Sequence, residues 1–147
     1  MNNTIILIFP EHSPIPHTVN FPLTIYALGK YLEKHGYKVL YFDERIDNKK
    51  KLEDYLKRDP LLVGVSTMTS YQIISAVNLS KFIKKRNPNT LIAWGGIHPS
   101  LCINQTIEQE YIDFVVVGEG EKILLELTDF LRNSRKSSST GFSFYHR

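Results

Sequence analysis

Residues 91–100 read LIAWGGIHPS. An apolar run of strand-forming residues stops at two glycines, a histidine and a proline. The run is apolar continuously rather than at alternate positions. A strand with one wet face alternates and a strand covered on both faces does not, so this run belongs in a parallel sheet with helices on either side. The runs TIILIF (4–9), YKVLYF (37–42), LLVGVS (61–66) and DFVVVG (113–118) are of the same kind and, with TLIAWG (90–95), give five strands.

Helical patterns separate them. The spacing predicts a helix over 21–35, with Phe21, Ile25, Leu28 and Leu32 on one face and Gly36 as its C-terminal cap. A short charged helix is expected over 49–58. A helix over 70–86 turns Ile73, Ala76, Leu79 and Ile83 inward and carries Lys81, Lys84, Lys85 and Arg86 towards its end, where they complement the helix dipole. Ile123, Leu124, Leu127 and Leu131 mark a last helix over 120–132, and the connection from Ile97 to Ile112 is expected to hold one or two helical turns around Thr106–Tyr111. Alternating strands and helices imply right-handed crossovers. The expected fold is therefore α/β: a flavodoxin-like (Rossmann-like), doubly wound, five-stranded parallel sheet of strand order 2-1-3-4-5, occupying residues 1–131. The stretch 132–147, RNSRKSSSTGFSFYHR, reads as a polar linker or the start of a connection to a further domain.

Composition narrows the partners. With 147 residues, 42% of them hydrophobic and 22% charged, the chain suits one domain with its own core. The formal charge of +3 misleads: four of the 18 Lys and Arg, and none of the 15 Asp and Glu, lie in 132–147, which leaves 14 against 15, or −1, over 1–131. A domain that is nearly neutral gives no basic stripe for nucleic acid. No basic leader precedes residue 14 and no stretch approaches the roughly 18 apolar residues of a membrane span, so the expectation is a cytoplasmic protein without a membrane partner. Cys102 is the single cysteine, which excludes an internal disulfide or a cysteine-built metal site, and it reads as a small half-buried side chain.

In an open α/β sheet, ligands bind beyond the carboxyl ends of the strands. The segments there are PEHSPIPHTVN, STMTSY, GGIHPS and GEGE. Gly95 and Gly96 serve either a tight turn needing positive φ or the close approach of a ligand to the backbone. Ser66, Thr67 and Thr69 offer hydroxyls to a ligand, or N-caps to the helix starting near Tyr71. In Gly118, Glu119, Gly120 and Glu121 the glycines allow close approach, but two carboxylates repel phosphate, and Glu121 suits a first helical turn. Neither GxGxxG nor GxxxxGK followed by Ser or Thr is present, which removes the dinucleotide and mononucleotide fingerprints. The proline-laden first loop is unlike a flavin phosphate loop, and Ser66 and Thr67 stand where a receiver domain needs aspartate. No nucleophile and base can be placed together from sequence, so no catalytic residue is assigned.

Four stretches carry a resemblance: FPLTIYALGKYLEKHGYKVLYFD (21–43), VGVSTMT (63–69), WGGIHPS (94–100) and IDFVVVGEGE (112–121). In this order and spacing the chain, from about Ile5 to Leu131, resembles the cobalamin-binding (vitamin B12-binding) N-terminal domain of cobalamin-dependent radical S-adenosylmethionine enzymes. The resemblance implies cobalamin with its nucleotide tail in the cleft beside strands 3 and 4 and its corrin over the rim. It also implies a cofactor site made of Ser66, Thr67, Met68, Thr69, Gly95, Gly96, Ile97, His98, Gly118, Glu119 and Gly120, in which the two glycines clear space for the tail.

The better-known DxHxxG motif, whose histidine coordinates cobalt from below, is missing: the loop reads FPEHSPIPHT. His12 and His17 remain candidate ligands, but prolines 10, 14 and 16 fix a different loop, so the expectation is base-off cobalamin with no protein imidazole below the metal. His98 reads as a hydrogen-bonding or turn residue, His35 as a surface residue at a helix end. The CxxxCxxC motif for the family's iron-sulfur cluster is also missing, so cluster, S-adenosylmethionine and catalysis would belong to a catalytic domain, in cis or in trans, acting in methyl transfer or ring formation. The alternative is a degenerate module that kept the fold, lost the cofactor, and serves interaction or substrate recognition.

Overall fold

The structure is a computed structural model that describes residues 3–15, 19–134 and 144–146. In chain order the elements are β1 (Thr4–Phe9), α1 (Leu23–Lys34), β2 (Lys38–Asp43), α2 (Lys49–Leu56), β3 (Leu62–Ser66), α3 (Tyr71–Arg86), β4 (Ile92–Gly95), α4 (Ile97–Leu101), α5 (Ile103–Ile107), β5 (Phe114–Val116), α6 (Gly120–Ser134) and β6 (Phe144–His146). The sheet order is β2-β1-β3-β4-β5-β6. Its first five strands are parallel in the expected 2-1-3-4-5 order. β6 adds an antiparallel strand on β5.

Continuous apolarity in the strands follows from two cores. On one face Ile5, Leu7, Leu62, Ala93 and Val116 pack with Ile25 and Leu32 of α1 and Leu124 and Leu127 of α6. On the other, Ile6, Ile8, Val63, Val65, Ile92 and Trp94 pack with Leu52 of α2 and Ala76, Leu79 and Ile83 of α3. Neighbouring residues of one strand therefore serve opposite faces. α1 ends as expected: Gly36 adopts φ 86°, and the N–H groups of Gly36 and Tyr37 donate to the carbonyls of Glu33 and Leu32.

Four details differ from the sequence reading. Phe21 is exposed and sits with its ring 4.5 Å from that of Tyr26, tilted by 33°, instead of entering the core. The helical turns after β4 come early, as α4 and α5, because Ser100 Oγ donates to the Gly96 carbonyl and Thr106 Oγ1 to that of Cys102, which holds both short turns. None of Ser66, Thr67 and Thr69 caps α3: the capping position is Ser70, at φ 104°, with no capping side-chain hydrogen bond. Finally, α6 runs to Ser134 and Phe144–His146 form a strand within the stretch read as linker, while 135–143 lie outside the described residues. A three-residue strand in a serine-rich tail has no periodicity from which it could be read. Among the described residues, no helix is long and apolar enough to cross a membrane.

Candidate functional site at the carboxyl rim of the sheet

The register of the strands builds a slot. Leu7 pairs with Gly64, Gly64 with Ala93, and one step further Ser66 with Gly95. These residues point to the α1/α6 side, where the small Gly64, Ala93 and Gly95 leave a flat floor. Ile25 and Leu28 of α1 and Gly120 and Leu124 of α6 form the other wall, Leu7, Val65 and Val116 complete the lining, and about 390 Å³ of empty space, counted out to solvent, lies between them.

The glycines differ in what they are for. A Cβ on Gly95 would meet the Val116 Cβ at 3.6 Å, an ordinary contact, so nothing but the slot is disturbed by it. A Cβ on Gly96 would lie 2.6 Å from the Thr67 carbonyl oxygen, and Gly96 has φ +105°. Gly96 is glycine because the backbones of the loops after β3 and β4 touch there. The contact is held by Thr67 N–H donating to the Gly95 carbonyl at 2.8 Å and His98 N–H donating to the Thr67 carbonyl at 3.3 Å. Gly120 faces Leu28 across the slot, an added Cβ lying 3.0 Å from the Leu28 Cδ2. A ring entering the slot therefore requires the Leu28 side chain to turn aside.

Of the residues read from sequence, Ser66, Gly95 and Gly120 come together in the slot. Met68 and Thr69 follow β3, Ile97 and His98 open α4 after β4, and Gly118 and Glu119 follow β5, all at the carboxyl end of the sheet, with Met68, Thr69, Ile97, Gly118 and Glu119 exposed. Thr67 is fully buried and does not line the slot, and its hydroxyl has no hydrogen-bond partner among the described residues. Such a group costs free energy until a bound molecule or water reaches it. Ser100 was not singled out, yet its hydroxyl ties two rim loops by donating to the Gly96 carbonyl at 2.7 Å and accepting from Gly118 N–H at 3.0 Å.

Further residues went unread in the sequence. Gly64, Ala93, Ile25 and Leu28 line the slot, and Gly64 carried a signal: a glycine inside a strand marks a close approach. Gln72, which is buried, clamps two loops, accepting from Met68 N–H at 2.7 Å and donating to the Pro10 carbonyl at 3.0 Å. Nothing in its helical position announces this.

The loop after β1 is fixed on three sides. Beside the bond to Gln72, Glu44 accepts from Glu11 N–H at 2.9 Å, and Arg45, in a buried ion pair with Asp43, donates to the Asn20 carbonyl and lies over the Phe9 ring at 4.5 Å. The hydrogen bond to Asp43 keeps the Arg45 guanidinium charged, its pKa raised against the opposing effect of burial. His12 sits on this loop with Nδ1 3.5 Å from the Glu11 carboxylate, which also accepts from the N–H groups of His12 and Ser13. His17 lies outside the described residues. His35 Nδ1 is at 2.8 Å from the Tyr31 carbonyl, far from the rim. Among the described residues, no three His, Cys, Asp or Glu side chains gather as a metal site.

Large hydrophobic side chains left exposed collect at this same end of the sheet. Ile15, Phe21, Ile46, Met68 and Ile97 follow the carboxyl ends of β1, β2, β3 and β4. An apolar rim around a slot is a surface built to be covered.

Known proteins share this architecture. The family model of the B12 binding domain matches residues 17–128. The anaerobic magnesium-protoporphyrin IX monomethyl ester cyclase of Synechocystis sp. is 31% identical over 139 residues, which is 88% of this chain and 28% of the cyclase. An uncharacterized methyltransferase of Pyrococcus horikoshii is 36% identical over 81 residues, 54% of this chain and 17% of the methyltransferase. The radical S-adenosylmethionine methyltransferase TsrM from Kitasatospora setae, solved with cobalamin and a 4Fe-4S cluster bound, superposes with a TM-score of 0.76 at 27% identity, covering 93% of this chain and 26% of that one. The chain thus spans between 17% and 28% of these larger proteins. The isolated REC domain of RcsB from Salmonella enterica, at 18% identity and a TM-score of 0.61, shares the fold alone.

Proposed function

Because the chain belongs to the B12-binding domain family, we propose that it is the cobalamin-binding module of a radical S-adenosylmethionine enzyme of the methyl-transfer or cyclisation class. The single observation that carries this reading is the slot. Its floor runs over Ala93, Gly95 and Gly64, the last with the Leu7 side chain 2.9 Å from an added Cβ, and at Gly95 it leaves open the space a side chain would fill, at the end of the sheet where such a cofactor enters. The nucleotide tail lies in the slot with its base against that floor and Ser66 within reach. The corrin covers the apolar rim, with Met68, Thr69, Ile97, His98, Gly118 and Glu119 around its edge. Thr67 and Gly96 hold the turn that shapes the mouth. Cobalamin, when bound, supplies a cobalt atom that can carry a methyl group; this chain's part is to bind and orient it.

The cofactor is held base-off, with no protein imidazole below cobalt. The support is the absence of DxHxxG and the seat of His12 beside the Glu11 carboxylate on a loop pinned by Gln72, Glu44 and Arg45. A radical S-adenosylmethionine catalytic domain, in cis or in trans, covers the loaded rim.

The test is to mix the purified protein with hydroxocobalamin, remove free cofactor, and record the absorption and the paramagnetic resonance of the cob(II)alamin form. Retained cobalamin without nitrogen splitting is expected. Splitting that disappears on replacing His12 or His17 would overturn the coordination. A colourless protein would overturn the binding and favour the degenerate module.

A further inference from the structure

Corrinoids differ in the base at the end of the nucleotide tail, and the slot's lining bears on which base it admits; the point rests on the function just proposed. Of the eleven residues around the slot, ten are glycine or carry hydrocarbon side chains, and Ser66 alone has a polar one. Among the described residues, no charged side chain lines it. Leu7, Gly64 and Ala93 of its floor are paired in consecutive parallel ladders and the Gly95 carbonyl accepts from Thr67 N–H, so these backbone groups are engaged within the sheet and its turn.

From this lining we infer that the slot is a selectivity filter for the corrinoid base, favouring an apolar aromatic base such as dimethylbenzimidazole over adenine. Adenine brings an exocyclic amine and additional ring nitrogens. One hydroxyl can satisfy one of these groups, and the rest would be buried against Leu28, Leu124, Val116 and the glycine floor. Each polar group buried without a partner lowers affinity by roughly 5- to 100-fold, because its bonds to water are lost and none replaces them. Dimethylbenzimidazole, detached from cobalt, brings a single free ring nitrogen, which the Ser66 hydroxyl can satisfy, and its methylated ring gains contact with the floor. Leu28 is the side chain best placed to change the outcome, because it is half-buried on α1 and lies directly across from Gly120.

The test is equilibrium dialysis of the protein against three corrinoids: cobalamin, its analogue with adenine as the base, and cobinamide, which lacks the tail. Each affinity is corrected for the fraction of free ligand whose base is detached from cobalt, since only that fraction can place the base in the slot. Cobalamin is expected to bind at least about tenfold tighter than the adenine analogue and tighter than cobinamide. In Leu28→Gln, whose amide can pair with a purine edge, the preference should narrow to about threefold or less while cobinamide binding stays at the wild-type value. Equal corrected affinities for the two tailed corrinoids would overturn the inference, as would a preference untouched by Leu28→Gln. Retention of no corrinoid at all would instead sink the proposed function beneath it.

Discussion

Replacing Gly95 by leucine separates a slot made for a ligand from a loop that merely turns. The Cβ is accommodated, 3.6 Å from the Val116 Cβ, and Gly95 has no positive φ to strain. The rest of the side chain has one direction open to it, into the slot. A flat aromatic base seated there would bury on the order of 150 Å², about 4 kcal/mol at 25 cal/mol per Å². Allowing for half of that to be recovered by a shifted pose, Gly95→Leu should weaken cobalamin binding by about 2 kcal/mol, roughly 30-fold. Its melting temperature should stay within about 5 °C of wild type, as overpacking is limited by the open mouth. Gly96→Ala makes the contrast: its Cβ meets the Thr67 carbonyl oxygen at 2.6 Å in a left-handed conformation, so it should lower the melting temperature by roughly 5 to 10 °C through the turn itself. The assays are dialysis against hydroxocobalamin and thermal denaturation. A Gly95→Leu protein that binds within threefold of wild type would refute the reasoning, because the slot would then be filled without consequence.

Other consequences are as specific. Saturating cobalamin at 100 times its dissociation constant should stabilise the protein by about 2.7 kcal/mol, a rise of roughly 10 °C in thermal melts; an unchanged melt would contradict binding to the native state. Gln72→Leu removes the amide bonded to Met68 N–H and the Pro10 carbonyl, and should speed amide exchange at Met68 and weaken cobalamin binding by about tenfold; wild-type exchange at Met68 would show the clamp to be idle. Gly29→Ala would place a Cβ 2.2 Å from the Tyr41 hydroxyl, so it should destabilise the fold by about 1 to 3 kcal/mol in urea titrations despite alanine's better helix propensity. Tyr37 has its pKa pushed up to about 12, first by burial and then by its hydrogen bond to Asp129. The folded state therefore holds this proton more tightly than the unfolded one. That stability is fully present below pH 10 and is lost as pH rises towards 12, and Tyr37→Phe should flatten the decline seen in alkaline denaturation.

Much of this was legible in the sequence, for reasons that can be traced to particular residues. TIILIF, LLVGVS and TLIAWG are apolar on both faces, which dictates a covered parallel sheet, and WGGIHPS marks the rim. What the runs do not say is which face each residue serves. On a strand covered on both sides the pattern no longer separates Ser66, which lines the slot, from Thr67, which does not. The same blindness hid Gly64 and Ala93 on the floor. Gly96 looked like a partner of Gly95 because they adjoin, yet one answers to a backbone contact and the other to the slot. Leu28 and Gln72 act across elements distant in the chain, and helical spacing alone reads them as one apolar and one polar helix position.

The most direct measurement is the map of amide and methyl resonance shifts on adding hydroxocobalamin to the isotope-labelled protein. The account predicts large shifts at Gly64, Ala93, Gly95, Gly120 and the Leu28 methyls, smaller ones at Met68, Ile97 and Gly118, and none at Lys57, Arg86 and Asn87, which lie together in a separate depression at the ends of α2 and α3. Shifts centred on that depression, or a spectrum unchanged by the cofactor, would contradict it.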